Sequence, residues 1–128
     1  MYKKLLFGLL TLALVSVLFS ACRVIDTSTI PQNPKAEMGA TTFITSTVTI
    51  KKGQYLDLVD TVAAPHVIAN GTWANGQQQK TKETGAPDVA ADFKGNDVTT
   101  IGPFNTAGTF NILCTIHPGM NLTITVTP

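Results

Sequence analysis

Apolar and polar positions alternate along most of the chain beyond residue 40. Ile44, Ser46, Val48 and Ile50 fall on one side at period two, with Thr45, Thr47 and Thr49 on the other, the pattern of a half-buried strand. Lys51-Lys52-Gly53 predicts a turn and Tyr55 to Val59 a second strand. A third short strand is expected from His66 towards Trp73, interrupted at Asn70-Gly71. Residues 74 to 97 are polar and carry Gly76, Gly85, Pro87 and Gly95, which predicts a long excursion; Val89 to Phe93 is expected to make one helical turn within it. Val98 to Phe104 and Thr109 to Cys114 read as strands separated by Asn105 to Gly108. The last strand alternates most plainly, with Leu122, Ile124 and Val126 against Thr123, Thr125 and Thr127. About six or seven short strands with turn signals between them and no convincing helix indicate an all-β fold, a β-sandwich or small barrel.

The first residues follow a different pattern. Lys3 and Lys4 precede an unbroken run of apolar and small residues from Leu5 to Phe19, and Ser20-Ala21 supplies small residues before Cys22, as in an export signal. The run Leu18-Phe19-Ser20-Ala21-Cys22 resembles a bacterial lipobox, which implies cleavage after residue 21 and a lipid on Cys22. The alternative is an uncleaved anchor, for which the run is marginally short. Both place the domain outside the cytoplasm, in the periplasm or at the outer cell surface. Residues 22–40 are rich in Thr, Ser, Pro, Gln and Asn and are expected to form a flexible tether, so that the chain divides into a signal (1–21), a lipidated tether (22–40) and one domain (41–128).

Charge then narrows the partners. The full chain carries 9 Lys and Arg against 8 Asp and Glu, for +1. Without Lys3 and Lys4 the balance is 7 against 8, or −1. No nucleic-acid footprint is present, and a monomer is expected. Lys80-Thr81-Lys82 reads as a solvated loop and Trp73 as core or rim packing. Asn70-Gly71-Thr72 matches a glycosylation acceptor but is expected to be a turn.

With Cys22 lipidated, Cys114 is the one remaining thiol of an exported chain that holds two Cys and two His. Alternation puts Phe110, Ile112 and Cys114 on one face of their strand, towards the core. His117 and Met120 follow within six residues, around Pro118-Gly119. His66 opens another strand after Pro65. Taken singly, each of these residues has an ordinary structural use. Together, two imidazoles, a thiolate and a thioether form the ligand set of a blue-copper electron-transfer site. Thiolate suits copper(I), imidazole suits both oxidation states, and a distant Met imposes no square-planar geometry.

The domain from about Thr41 to Pro128 resembles a cupredoxin, of the plastocyanin and amicyanin family. The matching stretches are Val48-Thr49-Ile50-Lys51-Lys52-Gly53, Ala64-Pro65-His66-Val67, Gly102-Pro103-Phe104, Ala107-Gly108-Thr109-Phe110 and the loop from Cys114 to Met120, whose short spacing is nearest to amicyanin. The resemblance implies a Greek-key β-sandwich with one copper at one end. It implies His66, Cys114 and His117 as strong ligands and Met120 as the axial one. His117 would be the exposed electron port, where redox proteins dock on an apolar surface that includes Pro118 and Gly119. Two positions depart from the family. Val67 stands where many members have a polar residue supporting the thiolate loop, so that link is lost or supplied elsewhere. Ile116 stands where amicyanin-like loops often have Pro, and its N–H is expected to donate to the Cys114 sulfur.

Competing functions are constrained by the same counts. A Cys114–His117 nucleophile would need an exposed thiol and an orienting partner, and two His residues leave none for a catalytic copper, so an enzyme is not expected. Copper storage, delivery or sensing at the cell surface uses the same ligands and stays open as an alternative.

Overall fold

In the folded chain the alternation of Thr with aliphatic residues becomes an alternation of exposure. The computed structural model describes residues 32–128; the expected signal, cleavage site, lipidated Cys22 and most of the tether lie outside those residues. Ten strands are present among the described residues: β1 Lys35–Met38, β2 Thr47–Lys51, β3 Leu56–Asp60, β4 His66–Asn70, β5 Thr72–Ala74, β6 Gln77–Gln79, β7 Ala90–Phe93, β8 Val98–Ile101, β9 Gly108–Cys114 and β10 Asn121–Thr127. Eight of them form two sheets, ordered β1-β3-β8 and β2-β10-β9-β4-β7, and β5 with β6 makes a separate hairpin. The two sheets pack as a β-sandwich. Neighbours distant in sequence, such as β2 beside β10, are what a Greek-key path produces.

Both inner faces come from period-two patterns. Leu122, Ile124 and Val126 of β10 are buried, as are Phe110 and Ile112 of β9, Ile68 of β4, and Leu56 and Leu58 of β3. Fully burying a side chain of this size contributes about 1.5–3 kcal/mol. Phe104 and Phe110 meet in a tilted pair with ring centroids 6.0 Å apart.

Four expectations are corrected. The domain starts before Thr41, because Lys35–Met38 is strand β1, paired in parallel with β3. Ala36 and Met38 point inward and are fully buried while Lys35 and Glu37 face out. That four-residue alternation is too short to stand out beside Pro31 and Pro34. Val89 to Phe93 is not a helical turn: Ala90–Phe93 is an edge strand against β4, with Ala91 and Phe93 buried and Ala90 and Asp92 exposed. Ile44 is 61% exposed, because β2 begins at Thr47 and Phe43, bridged to Met38, fills the core instead. Tyr55 likewise stays outside at 44% exposure, and β3 begins at Leu56.

The Asn70-Gly71 interruption is where the chain leaves the sandwich to build the β5–β6 hairpin. Asn70 is a clasp rather than a turn residue: its Nδ2 donates to the Pro87 carbonyl at 3.0 Å and its Oδ1 accepts from Val89 N–H at 2.8 Å. Gly71 has φ +127° and donates its N–H to the Asn111 carbonyl at 3.0 Å. A Cβ at Gly71 would collide with the Gln79 carbonyl oxygen. Gly71→Ala is therefore expected to cost roughly 1–3 kcal/mol through strain at a φ that side chains avoid. Thermal melting checks this; an unchanged midpoint would mean that the hairpin shifts freely.

Candidate metal centre

Strand register brings the chemistry together. β9 ends at Cys114 and β10 starts at Asn121, with Asn121 opposite Leu113, so the chain between them must reverse tightly. Pro118 starts that reversal and Gly119 takes φ +79°, a left-handed backbone open to glycine. The loop is closed by Cys114 N–H donating to the Met120 carbonyl at 3.0 Å and Met120 N–H donating to the His117 carbonyl at 3.2 Å. On the other side of β9 lies β4, with Ile68 directly opposite Cys114. Residues directly opposite point to the same face, and residues two apart share a face. His66 therefore falls on the same inner face as Cys114, one step beyond the end of β9.

Three donor atoms converge there. Cys114 Sγ is 3.5 Å from His117 Nδ1 and 3.8 Å from His66 Nδ1, and the two Nδ1 atoms are 3.2 Å apart. The imidazoles meet edge to face, with an interplanar angle of 62°. Cys114 and His66 are fully buried, whereas His117 is partly exposed. Met120 is buried in the same core cluster. Burial pushes the His66 imidazole below its ordinary pKa; Asp60 pulls it upward, and His117 adds to the lowering. A neutral imidazole keeps a lone pair for a metal.

The spacing fits one ion. Typical zinc-site distances of about 2.0–2.1 Å to imidazole and about 2.3 Å to thiolate put donors of a shared ion about 3–4 Å apart, as here. One thiolate and two imidazoles facing each other are the in-plane donors of a blue-copper site. Residues 32–127 match the family described as copper binding proteins of the plastocyanin/azurin family.

The chain belongs to this family. Solved structures with a similar fold include amicyanin from Paracoccus versutus, at 21% identity over 79% of this chain and 88% of that chain, TM-score 0.58. A reduced Cu(I) form of an amicyanin proline variant is also similar, at 16% identity over 79% of this chain and 89% of that chain, TM-score 0.57. No curated protein matches the chain. His66, Cys114 and His117 of this cupredoxin fit one type 1 copper.

Two expectations about the cupredoxin's thiolate loop resolve differently. The link lost at Val67 is supplied elsewhere. The Val67 carbonyl accepts Thr115 N–H at 2.7 Å, and the β5–β6 hairpin reaches the loop with two side chains. Trp73 Nε1 donates to the Cys114 carbonyl at 2.8 Å and Gln78 Nε2 donates to the Thr115 carbonyl at 2.6 Å. Asn121 in turn holds the Trp73 backbone from both ends, at 2.7 Å and 3.1 Å. The Ile116 N–H, by contrast, makes no hydrogen bond to Cys114 Sγ; among the described residues the polar contacts of that sulfur are with the two Nδ1 atoms. Trp73 is thus more than rim packing. Neither its role nor that of Gln78 has a motif, because both arise from a hairpin folding back over a loop some forty residues away.

Each of these hydrogen bonds contributes about 0.5–1.5 kcal/mol. Trp73→Phe keeps a ring and removes the donor. The expected result is copper loss to a chelator accelerated roughly two- to tenfold, the same free energy expressed as a rate, with Gln78→Ala adding a similar increment. An unchanged loss rate in both variants would show that the loop holds its shape without the hairpin.

Proposed function

We propose that this cupredoxin is an exported single-electron carrier, tethered to a membrane through a lipid on Cys22, with His66, Cys114 and His117 as strong copper ligands and Met120 as the weak fourth. The observation that carries the reading is the convergence of one buried thiol and two imidazoles, only one of them reaching solvent, at the end of a plastocyanin/azurin-family sandwich. Copper bound there supplies a one-electron Cu(II)/Cu(I) couple. The chain's own residues do the rest. The packed ends of β4 and β9 keep water from Cys114 and His66. The loop hydrogen bonds hold the donors in one arrangement, which limits rearrangement between oxidation states. His117 offers the short way to the surface, and Ile116 beside it is 47% exposed. With Pro118 and Gly119 also exposed, these residues supply a small apolar face suited to a brief redox encounter, of the kind that buries little area.

Copper storage, delivery or sensing is the competing use. Delivery calls for ligands that an acceptor can reach, and although His117 reaches solvent, Cys114 and His66 are fully buried, which disfavours delivery. Voltammetry of the copper-loaded chain decides between the two. A reversible one-electron wave with fast self-exchange is expected; an irreversible wave together with copper passing to an acceptor would replace the carrier by a delivery role.

A further inference from the structure

A buried acid stands behind His66. With Nδ1 facing Cys114 and His117, the ring's other nitrogen is left for the protein interior, and His66 Nε2 lies 3.9 Å from Asp60 Oδ1, both side chains 0% exposed. His66 Nε2 and Asp60 Oδ2 are buried with no hydrogen-bond partner. A buried polar atom left unpaired is destabilising, and a charged one more so, so an acid at this place calls for a reason. Asp60 is held firmly. It closes β3, donates its N–H to the Asp97 carbonyl at 2.8 Å, and accepts Val62 N–H on Oδ1 at 3.2 Å.

Resting on the carrier reading, we propose that Asp60 is a positioning residue of the copper site: its carboxylate keeps the His66 proton on Nε2, leaving Nδ1 as the donor, and lowers the reduction potential. A metal-bound imidazole characteristically presents its second N–H to a carboxylate, carbonyl or water, which fixes the tautomer and raises ligand basicity. The charge balance sets the direction. The Cys114 thiolate and the Asp60 carboxylate carry two negative charges, which match copper(II). Adding one electron to give copper(I) leaves the buried site with an excess negative charge. The anion therefore favours the oxidised state, an effect magnified where water is excluded.

The test compares the full-length chain with Asp60→Asn, which keeps the shape and the Val62 acceptor but removes the charge. The ratio of Cu(II) to Cu(I) affinity is expected to fall at least tenfold, which for one electron is a rise in potential of about 59 mV, with the thiolate-to-copper band retained. A second readout needs neither copper nor a variant: nitrogen-15 NMR of the metal-free parent is expected to place the His66 proton on Nε2. A parent that binds copper with the band, but whose potential is unmoved by Asp60→Asn, overturns the inference alone and leaves the carrier reading standing. A proton on Nδ1 in the metal-free parent also overturns it. A parent with no band overturns the inference and the carrier reading together.

Discussion

Cys114→Ser is expected to abolish the intense visible band of the copper-loaded full-length chain. That band is electron transfer from thiolate sulfur to copper(II), and a hydroxyl at the same position offers neither a soft anionic donor nor an accessible filled orbital. The substitution is nearly isosteric, and Cys114 is fully buried at the end of β9, so the fold is expected to survive it. Copper affinity is expected to drop by more than the 10–100-fold typical of losing a group that only supports a ligand. Visible spectroscopy with metal analysis checks both expectations. A band of undiminished intensity in a folded Cys114→Ser protein would remove Cys114 from the site, and the electron-carrier reading with it.

Ile124→Ala tests the scaffold instead. Ile124 is fully buried in β10, opposite Phe110 of β9 on one side and Val48 of β2 on the other. Removing its branched side chain leaves a cavity between the sheets and is expected to cost about 2–5 kcal/mol. Against a usual domain stability of about 5–15 kcal/mol that is a large fraction. Phe110 lies four positions before Cys114 along β9, about 13 Å at the usual rise per residue. The remaining folded protein is therefore expected to keep the visible band at its parent energy. Denaturant titration followed by the band and by far-UV circular dichroism measures both. A shifted band would mean that packing in mid-sandwich reaches the copper ligands.

Much of this was legible in the chain. β10 was readable because Leu122, Ile124 and Val126 keep period two across a whole strand with Thr between them. The ligand loop was readable because chemistry confines it to a short segment, Cys114 to Met120, in a chain with just two His. The failures share a cause. β1 and β7 have four residues each, too few for periodicity to outweigh neighbouring Pro and polar residues, and each exists because a partner strand is already in place. Ile44 continues an alternating pattern past the point where its strand begins, so the pattern put it on the inner face while the sheet left it outside, and Tyr55, expected to open its strand, lies just before it.

By itself the sequence determined the fold class, most of the strands that carry the core, and the thiol and two imidazoles that converge in one cluster, because burial periodicity and side-chain chemistry are local properties of the chain. The tertiary structure decided what surrounds them. The register of Ile68 against Cys114 put His66 beside the thiol. The return of the β5–β6 hairpin put Trp73 and Gln78 on the ligand loop, and the end of β3 put Asp60 behind His66. Contacts of this kind join residues whose sequence separation carries no pattern, and they exist only once the sheets have packed.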